Sequence, residues 1–239
     1  MKLPYHYVWL WWSSGFLAFW GVIYTRHLDL RVKMLGASLL TMPFGLTEPL
    51  FVPRYWNPPS LFDLAQRTGF DLESFIFSFA IGGLGVVLYD LAFKVRDRPM
   101  AERARHRRNH LIHFLALLLP FLVFATLLLR TSWNPIYCVV IAMSAGALAV
   151  MIGRPDLAKP IWVGALLFLG LYVLFFLPLC LVFPGYVRQV WNLARLSGIL
   201  ILGIPLEEYL FAYAFGLYWS SAYEFIYWLR RARAEAQGS

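Results

Sequence analysis

The sequence predicts an all-α fold: a polytopic membrane protein with seven transmembrane helices. Three observations carry that prediction. Of the 239 residues, 60% are hydrophobic and 14% charged, a balance outside that of soluble domains. The apolar residues fall into runs of about 20, the length that crosses the hydrocarbon layer of a bilayer. The basic residues behind the net charge of +8 are distributed among short segments between those runs. That distribution sets membrane orientation and argues against nucleic acid as a partner.

The spans in order are residues 5–24, 34–53, 73–93, 110–129, 135–153, 160–184 and 198–228. The first has one lysine before it, an aromatic core and no small-residue cleavage site, so it reads as a retained helix and not as a signal peptide. Its Tyr5, Tyr7, Trp9, Trp11 and Trp12 read as an interfacial aromatic belt. In the third span, Gly82, Gly83 and Gly85 lack a strand-turn-helix setting and are expected to permit close helix packing. His110 and His113 open the fourth span as interfacial anchors, since no further His or acid completes a metal site there. Cys138 and Cys180 lie in apolar runs without metal-ligand spacing and read as small buried hydrophobes. The seventh span is too long for one straight helix. Pro205 suits a first helical turn, so 196–204 is expected to be a separate short segment ahead of a helix starting near Pro205.

Charge by side gives the orientation. Of the 21 Lys and Arg, 6 fall on the side of the N-terminus and 15 on the other, which places the N-terminus outside and the C-terminus in the cytoplasm of a cell inner membrane. The run from Lys94 to Arg108 reads as a cytoplasmic retention loop. Asp90 is expected to pair with Lys94 four residues on, and Glu224 to lie at the same interface near Arg230 and Arg231.

A shift of 134 positions aligns Asp71-Leu-Glu-Ser-Phe-Ile-Phe-Ser-Phe-Ala-Ile-Gly82 with Pro205-Leu-Glu-Glu-Tyr-Leu-Phe-Ala-Tyr-Ala-Phe-Gly216, and Tyr89-Asp90 with Tyr223-Glu224. Upstream, Leu50-Phe-Val-Pro-Arg-Tyr55 resembles Leu181-Val-Phe-Pro-Gly-Tyr186, and the pairs Trp56-Asn57 and Trp191-Asn192 follow. The chain is therefore read as one integral-membrane domain, 1–239, made of a first repeat (1–94), a connecting helix (110–129) and a second repeat (135–230). Because the repeats are four spans apart, they should be two parallel three-helix units about an axis near the membrane normal.

The stretch Gly203-Ile-Pro-Leu-Glu-Glu-Tyr-Leu-Phe211 sets two carboxylates inside an apolar run about a membrane wide. A charge in that setting costs roughly 2.5–3.5 kcal/mol on insertion scales and usually marks function. At the start of the third helix of a three-helix unit, this stretch resembles the lycopene cyclase domain of the small integral-membrane carotenoid cyclases. The first unit departs from that pattern at Asp71 and Ser74. The resemblance implies an activity without cofactor or metal: β-type cyclisation of an acyclic carotenoid end group, in proteins where two such units act fused or as separate subunits. The partners it implies are a hydrophobic isoprenoid or carotenoid, membrane lipid, and a homo- or hetero-oligomeric partner.

Cyclising a polyene end requires protonation of an alkene, attack of a second double bond on the cation, and loss of a proton. Acids in an apolar site and aromatic faces supply this, each face contributing about 0.5–2 kcal/mol to a cation. The candidate catalytic residues are Glu207, Glu208, Glu73 and Glu48, and the candidate substrate-binding residues are Tyr209, Phe211, Tyr213, Phe75 and Phe77, with Phe79 beside them. Glu207 and Glu208 are adjacent and do not share a helix face, so the repeat suggests Glu207 across from Glu73 with Glu48 nearby. Structural roles stay open: Glu208 facing headgroups, and Glu207 and Glu73 as buried hydrogen-bonders. Other function classes stay open too. These are a membrane terpene cyclase acting on another isoprenoid, a non-catalytic lipid or proton carrier, a transporter, and a rhodopsin-like receptor, the last lacking a lysine in the seventh span.

Overall fold

The computed structural model describes residues 5–101 and 110–233, and helix makes up 77% of it. The first helix, α1, is Val8–Arg26, and α2 is Arg31–Thr41. A 3₁₀ segment, Met42–Thr47, and a single turn, α3 (Glu48–Phe51), continue α2. Pro43 and Pro49 lack the N–H that an α-helix needs there, so the second expected span is not one helix. A short helix α4 (Leu64–Thr68) precedes α5 (Leu72–Phe93) and strand β1 (Val95–Pro99). Then come α6 (His110–Arg130), α7 (Pro135–Gly153), α8 (Ala158–Val182) and the short α9 (Tyr186–Val190). The chain ends in a hairpin of β2 (Leu200–Ile201) and β3 (Ile204–Pro205), helices α10 (Leu206–Trp219) and α11 (Ala222–Ile226), and strand β4 (Leu229–Arg233).

Among the described residues, four segments are long and apolar enough to cross a membrane: Leu72–Phe93, His113–Arg130, Pro135–Gly153 and Pro155–Val182. The other three expected spans take different forms. Helix α1 is 19 residues long, but Trp9, Trp11, Trp12, Trp20, Ser13 and Ser14 dilute its apolarity. The second span breaks at the 3₁₀ segment, and the seventh divides into the hairpin, α10 and α11.

Helices α1 and α2 pack on α5, while α7 and α8 pack on α10, and α6 lies along α7. The two groups meet where α5 touches α8 and α10, and where α1 touches α8. Two glycines that align in the sequence permit the close approaches. A Cβ at Gly82 would collide with Thr41 of α2, and one at Gly216 would come within 2.7 Å of the Cα of Ala165 on α8.

At one end, β1 and β4 pair antiparallel, from Val95 opposite Arg233 to Pro99 opposite Leu229. A buried charge cluster lies beneath them. The Lys33 ammonium is 2.5 Å from Asp90 and 3.0 Å from Asp97, and it also donates to Glu224. Arg231 reaches Asp90 and Glu224, each at 2.7 Å. Burial alone would lower the pKa of Lys33, but Glu224 and Asp90 outweigh it and raise the value; the same balance raises Arg231. The expected Asp90–Lys94 pair is replaced. Lys94 takes a left-handed conformation (φ 50°) that ends α5, and Asp90 turns inward to partners distant in sequence. Glu224 pairs with Arg231 as expected. The His113 ring stacks on Phe225 and Trp228, with centroids 4.1 and 4.4 Å away. The side chain of His110 and residues 102–108 of the Lys94–Arg108 run lie outside the described residues.

Removing one member of a buried ion cluster leaves its partners uncompensated, at a cost of about 3–5 kcal/mol. Lys33→Ala should therefore lower the thermal unfolding midpoint of the detergent-purified protein strongly. Lys94→Ala, on an exposed side chain, should change stability by no more than about 0.5 kcal/mol.

Candidate active site

At the other end of the bundle the chain folds so that α10 begins inside the protein. The β2–β3 hairpin reverses over Leu202 and Gly203, both with positive φ (53° and 82°), as a tight two-residue turn requires. The N–H of Leu206 then donates to the Ile199 carbonyl at 3.0 Å. Glu207 and Glu208 fall in the first turn of α10, where the free amides and the helix dipole favour negative charge.

Glu208 is 3% exposed. One carboxylate oxygen accepts from the Tyr55 hydroxyl and from the Trp191 indole N–H at 2.7 Å, and the other accepts from the Tyr172 hydroxyl at 2.5 Å. These donors come from distant parts of the chain. Trp56 and Trp191 form an antiparallel bridge. On either side of it, the Asn57 N–H donates to the Val190 carbonyl at 2.8 Å and the Asn192 N–H to the Tyr55 carbonyl at 2.9 Å. That exchange brings Tyr55 and Trp191 to one carboxylate, and α8 delivers Tyr172 from below. Tyr172 is also the hub of an aromatic cluster. Trp12 (5.8 Å), Phe16 (6.0 Å), Phe77 (6.3 Å), Phe176 (6.0 Å) and Phe211 (6.0 Å) surround its ring.

Glu207 turns away from its neighbour. One of its oxygens accepts from the Tyr137 hydroxyl at 2.5 Å and the Ser197 N–H at 2.8 Å, while the other is buried without a partner. Glu73, in the first turn of α5, accepts the Leu61 N–H at 2.7 Å, also leaving one buried oxygen open. Beside it, Asp71 caps α5 by accepting the Ser74 N–H at 2.5 Å, and Glu48 accepts the Ser74 hydroxyl at 3.1 Å. The acids thus form two groups, Glu48–Asp71–Glu73 and Glu207–Glu208. Among the described residues, no hydrogen bond joins Glu73 to Glu207; each is held by its own preceding loop.

The aromatic residues expected at the site also separate. Phe77 and Phe211 belong to the cluster around Tyr172. The Tyr209 hydroxyl instead donates to the Ile201 carbonyl at 3.0 Å, tying α10 to its hairpin. Tyr213 lies 6.5 Å from Trp162, Phe79 lies 5.1 Å from Trp20, and Phe75 packs on Gly45. Tyr55, Tyr172, Trp191 and Trp12 are the site residues that sequence reasoning missed. The repeated segments marked the positions of Tyr55 and Trp191 without showing that they act as donors.

Asp90, Asp97 and Glu224 bring carboxylate oxygens within 4.8 Å of one another, a spacing that suits a metal ion. All three face the Lys33 ammonium, which supplies the positive charge that an ion would bring. The Glu208 site has a different character: a buried acid, two phenols and an indole, walled by aromatic rings. It can move a proton in an apolar setting and stabilise a cation beside it.

Residues 134–226 match the family model described as lycopene cyclase. The match runs from the N-cap of α7 through α11, so it includes Glu207, Glu208, Tyr172 and Trp191 and excludes Glu48, Tyr55 and Glu73. No curated protein and no solved structure matches the chain.

Leaving a buried acceptor without its donor costs about 1–3 kcal/mol. Tyr172→Phe and Trp191→Phe should each lower the unfolding midpoint by a measurable amount. Tyr209→Phe, whose hydroxyl serves only the half-exposed hairpin, should lower it less.

Proposed function

We propose that this membrane protein, a member of the lycopene cyclase family through residues 134–226, cyclises the end group of an acyclic carotenoid at Glu208. The supporting observation is the coincidence of that match with a buried carboxyl that has two phenolic donors and an aromatic wall. In this reading Glu208 first takes up a proton, shared with the hydroxyls of Tyr55 and Tyr172, and then gives it to the terminal double bond of the polyene. The resulting tertiary cation is attacked by the next suitably placed double bond, closing the ring, and the ring cation loses a proton from the adjacent carbon. One proton enters and one leaves, so the product is an isomer of the substrate and no oxidant is consumed. The faces of Trp12, Phe77 and Phe211 stabilise the cation, and the Glu208 carboxylate left by the first step takes back the departing proton.

The two acid groups are not equivalent in this proposal. Ser74 stands where Glu208 stands in the aligned segment, and Glu48 reaches that hydroxyl from outside the helix. The first group has no phenolic donor among its hydrogen bonds in the described residues. We assign the chemistry to the second group and a supporting role to the first. The reciprocal Trp56–Trp191 exchange and the β1–β4 pair favour two repeats related by a two-fold axis near the membrane normal, because antiparallel contacts between equivalent segments are what such an axis generates. The N-terminus outside and the C-terminus cytoplasmic complete the proposed arrangement.

Expression in lycopene-accumulating cells with pigment analysis tests this reading. Wild type should convert the pigment to a cyclised product of unchanged mass. Glu208→Gln should reduce conversion by about 10²–10⁴-fold, the usual contribution of a general acid, and Glu48→Gln should have a much smaller effect. Absence of any cyclised isomer with well-expressed wild type would sink the assignment, whereas a shorter cyclised isoprenoid would move it to another substrate.

A further inference from the structure

A cavity of about 580 Å³ opens beside the β1–β4 pair at the start of α8. Lys159, Arg230, Arg231 and Arg233 line it, with Val95 and Leu157 among its apolar walls. We propose that this cavity binds the phosphate headgroup of an anionic membrane lipid, a role separate from the cyclisation chemistry.

Charge is the first support. Arg231 is already neutralised by Asp90 and Glu224. The acid at the rim, Asp156, is gripped by Arg154 through bonds of 2.6 and 2.8 Å. Lys159, Arg230 and Arg233 have no ion pair among the described residues, so three uncompensated cations face one cavity. Such a group repels itself until an anion enters, and a phosphate presents several acceptor oxygens to the flat guanidinium groups.

Position gives the second support and separates a lipid from a free anion. Lys159 stands at the start of the apolar segment Pro155–Val182, so the cavity lies at headgroup depth. Trp162 and Leu166 follow three and seven residues after Lys159, on the same helix face, and they are 47% and 60% exposed. An apolar strip thus leads from the cationic cavity down the outside of α8. The combination suits an amphiphile, with its headgroup in the cavity and its chain on the strip. The cavity also lies on the Lys/Arg-rich side, where anionic lipid attracts basic groups.

Native mass spectrometry of the full chain, released from nanodiscs of phosphatidylglycerol or phosphatidylcholine, tests this. Wild type should retain phosphatidylglycerol and not phosphatidylcholine. The triple variant Lys159→Gln, Arg230→Gln, Arg233→Gln should retain about tenfold less or lower still. A matched variant at the opposite end, Arg54→Gln, Arg67→Gln, Arg188→Gln, should behave as wild type. Retention unchanged in the first triple variant would overturn the site, and an equal loss in the second would reduce it to general surface charge. Displacement of the lipid by millimolar inorganic phosphate would show a small-anion site and overturn the lipid source. Arg233→Gln alone, an exposed change that spares the fold, should already weaken retention. Pigment conversion by the triple variant reports separately on the cyclase reading.

Discussion

A carboxyl group buried at 3% exposure, with no Lys or Arg among its hydrogen-bond partners, imposes a demand that shapes this end of the molecule. An unpaired buried charge is costly in an apolar interior. Here neutral donors meet the demand: two phenols and an indole brought to Glu208 by three separate segments. Each of those segments is fixed by something else. The Trp56–Trp191 bridge holds two of them, and the packing of α8 against α10 holds the third. The donors are therefore held before any substrate arrives, and preorganised donors are most effective where water is excluded.

The opposite end meets the same cost in another way. Buried Lys33, Asp90 and Glu224, with Arg231 and the half-buried Asp97, are held as opposing charges, joining α2, α5, β1, α11 and β4. Ion pairing suits a clasp, because a charge held by an opposite charge resists changing its protonation. Donor networks of neutral groups suit proton movement, because the proton can sit on any of several oxygens. The two ends thus meet the cost of buried polar groups by different means.

Much of this was legible in the sequence, and the rest was not for identifiable reasons. Helices α5, α7 and α8 follow directly from continuous apolar runs with a capping residue or a proline at the start. Pro205 announced the beginning of α10, and Gly82 announced close packing. The carboxylates at 207 and 208 stood out because their apolar surroundings made them expensive. By contrast, the pairing of Asp90 was read from the nearest lysine, Lys94, although Lys33, 57 residues away, won through burial. Tyr55 and Tyr172 lie 153 and 36 residues from Glu208, and no local pattern separates a tyrosine that donates to an acid from one that anchors at an interface. The split of 42–47 from α2 was signalled by Pro43 and Pro49, but the hydropathy of the whole stretch concealed it.

The boundary of the family match bears on how the site is assembled. Residues 134–226 supply Glu208 and two of its three donors, but Tyr55 lies in the other half of the chain. Without Tyr55, one Glu208 oxygen keeps only the indole N–H. The Trp191 segment would also lose the backbone exchange with Tyr55 and Asn57 that fixes its position. Trp12 and Phe77, two walls of the aromatic cluster, come from that half as well. The matched segment therefore contains the acid but not the whole enclosure around it, and residues outside the match complete that enclosure.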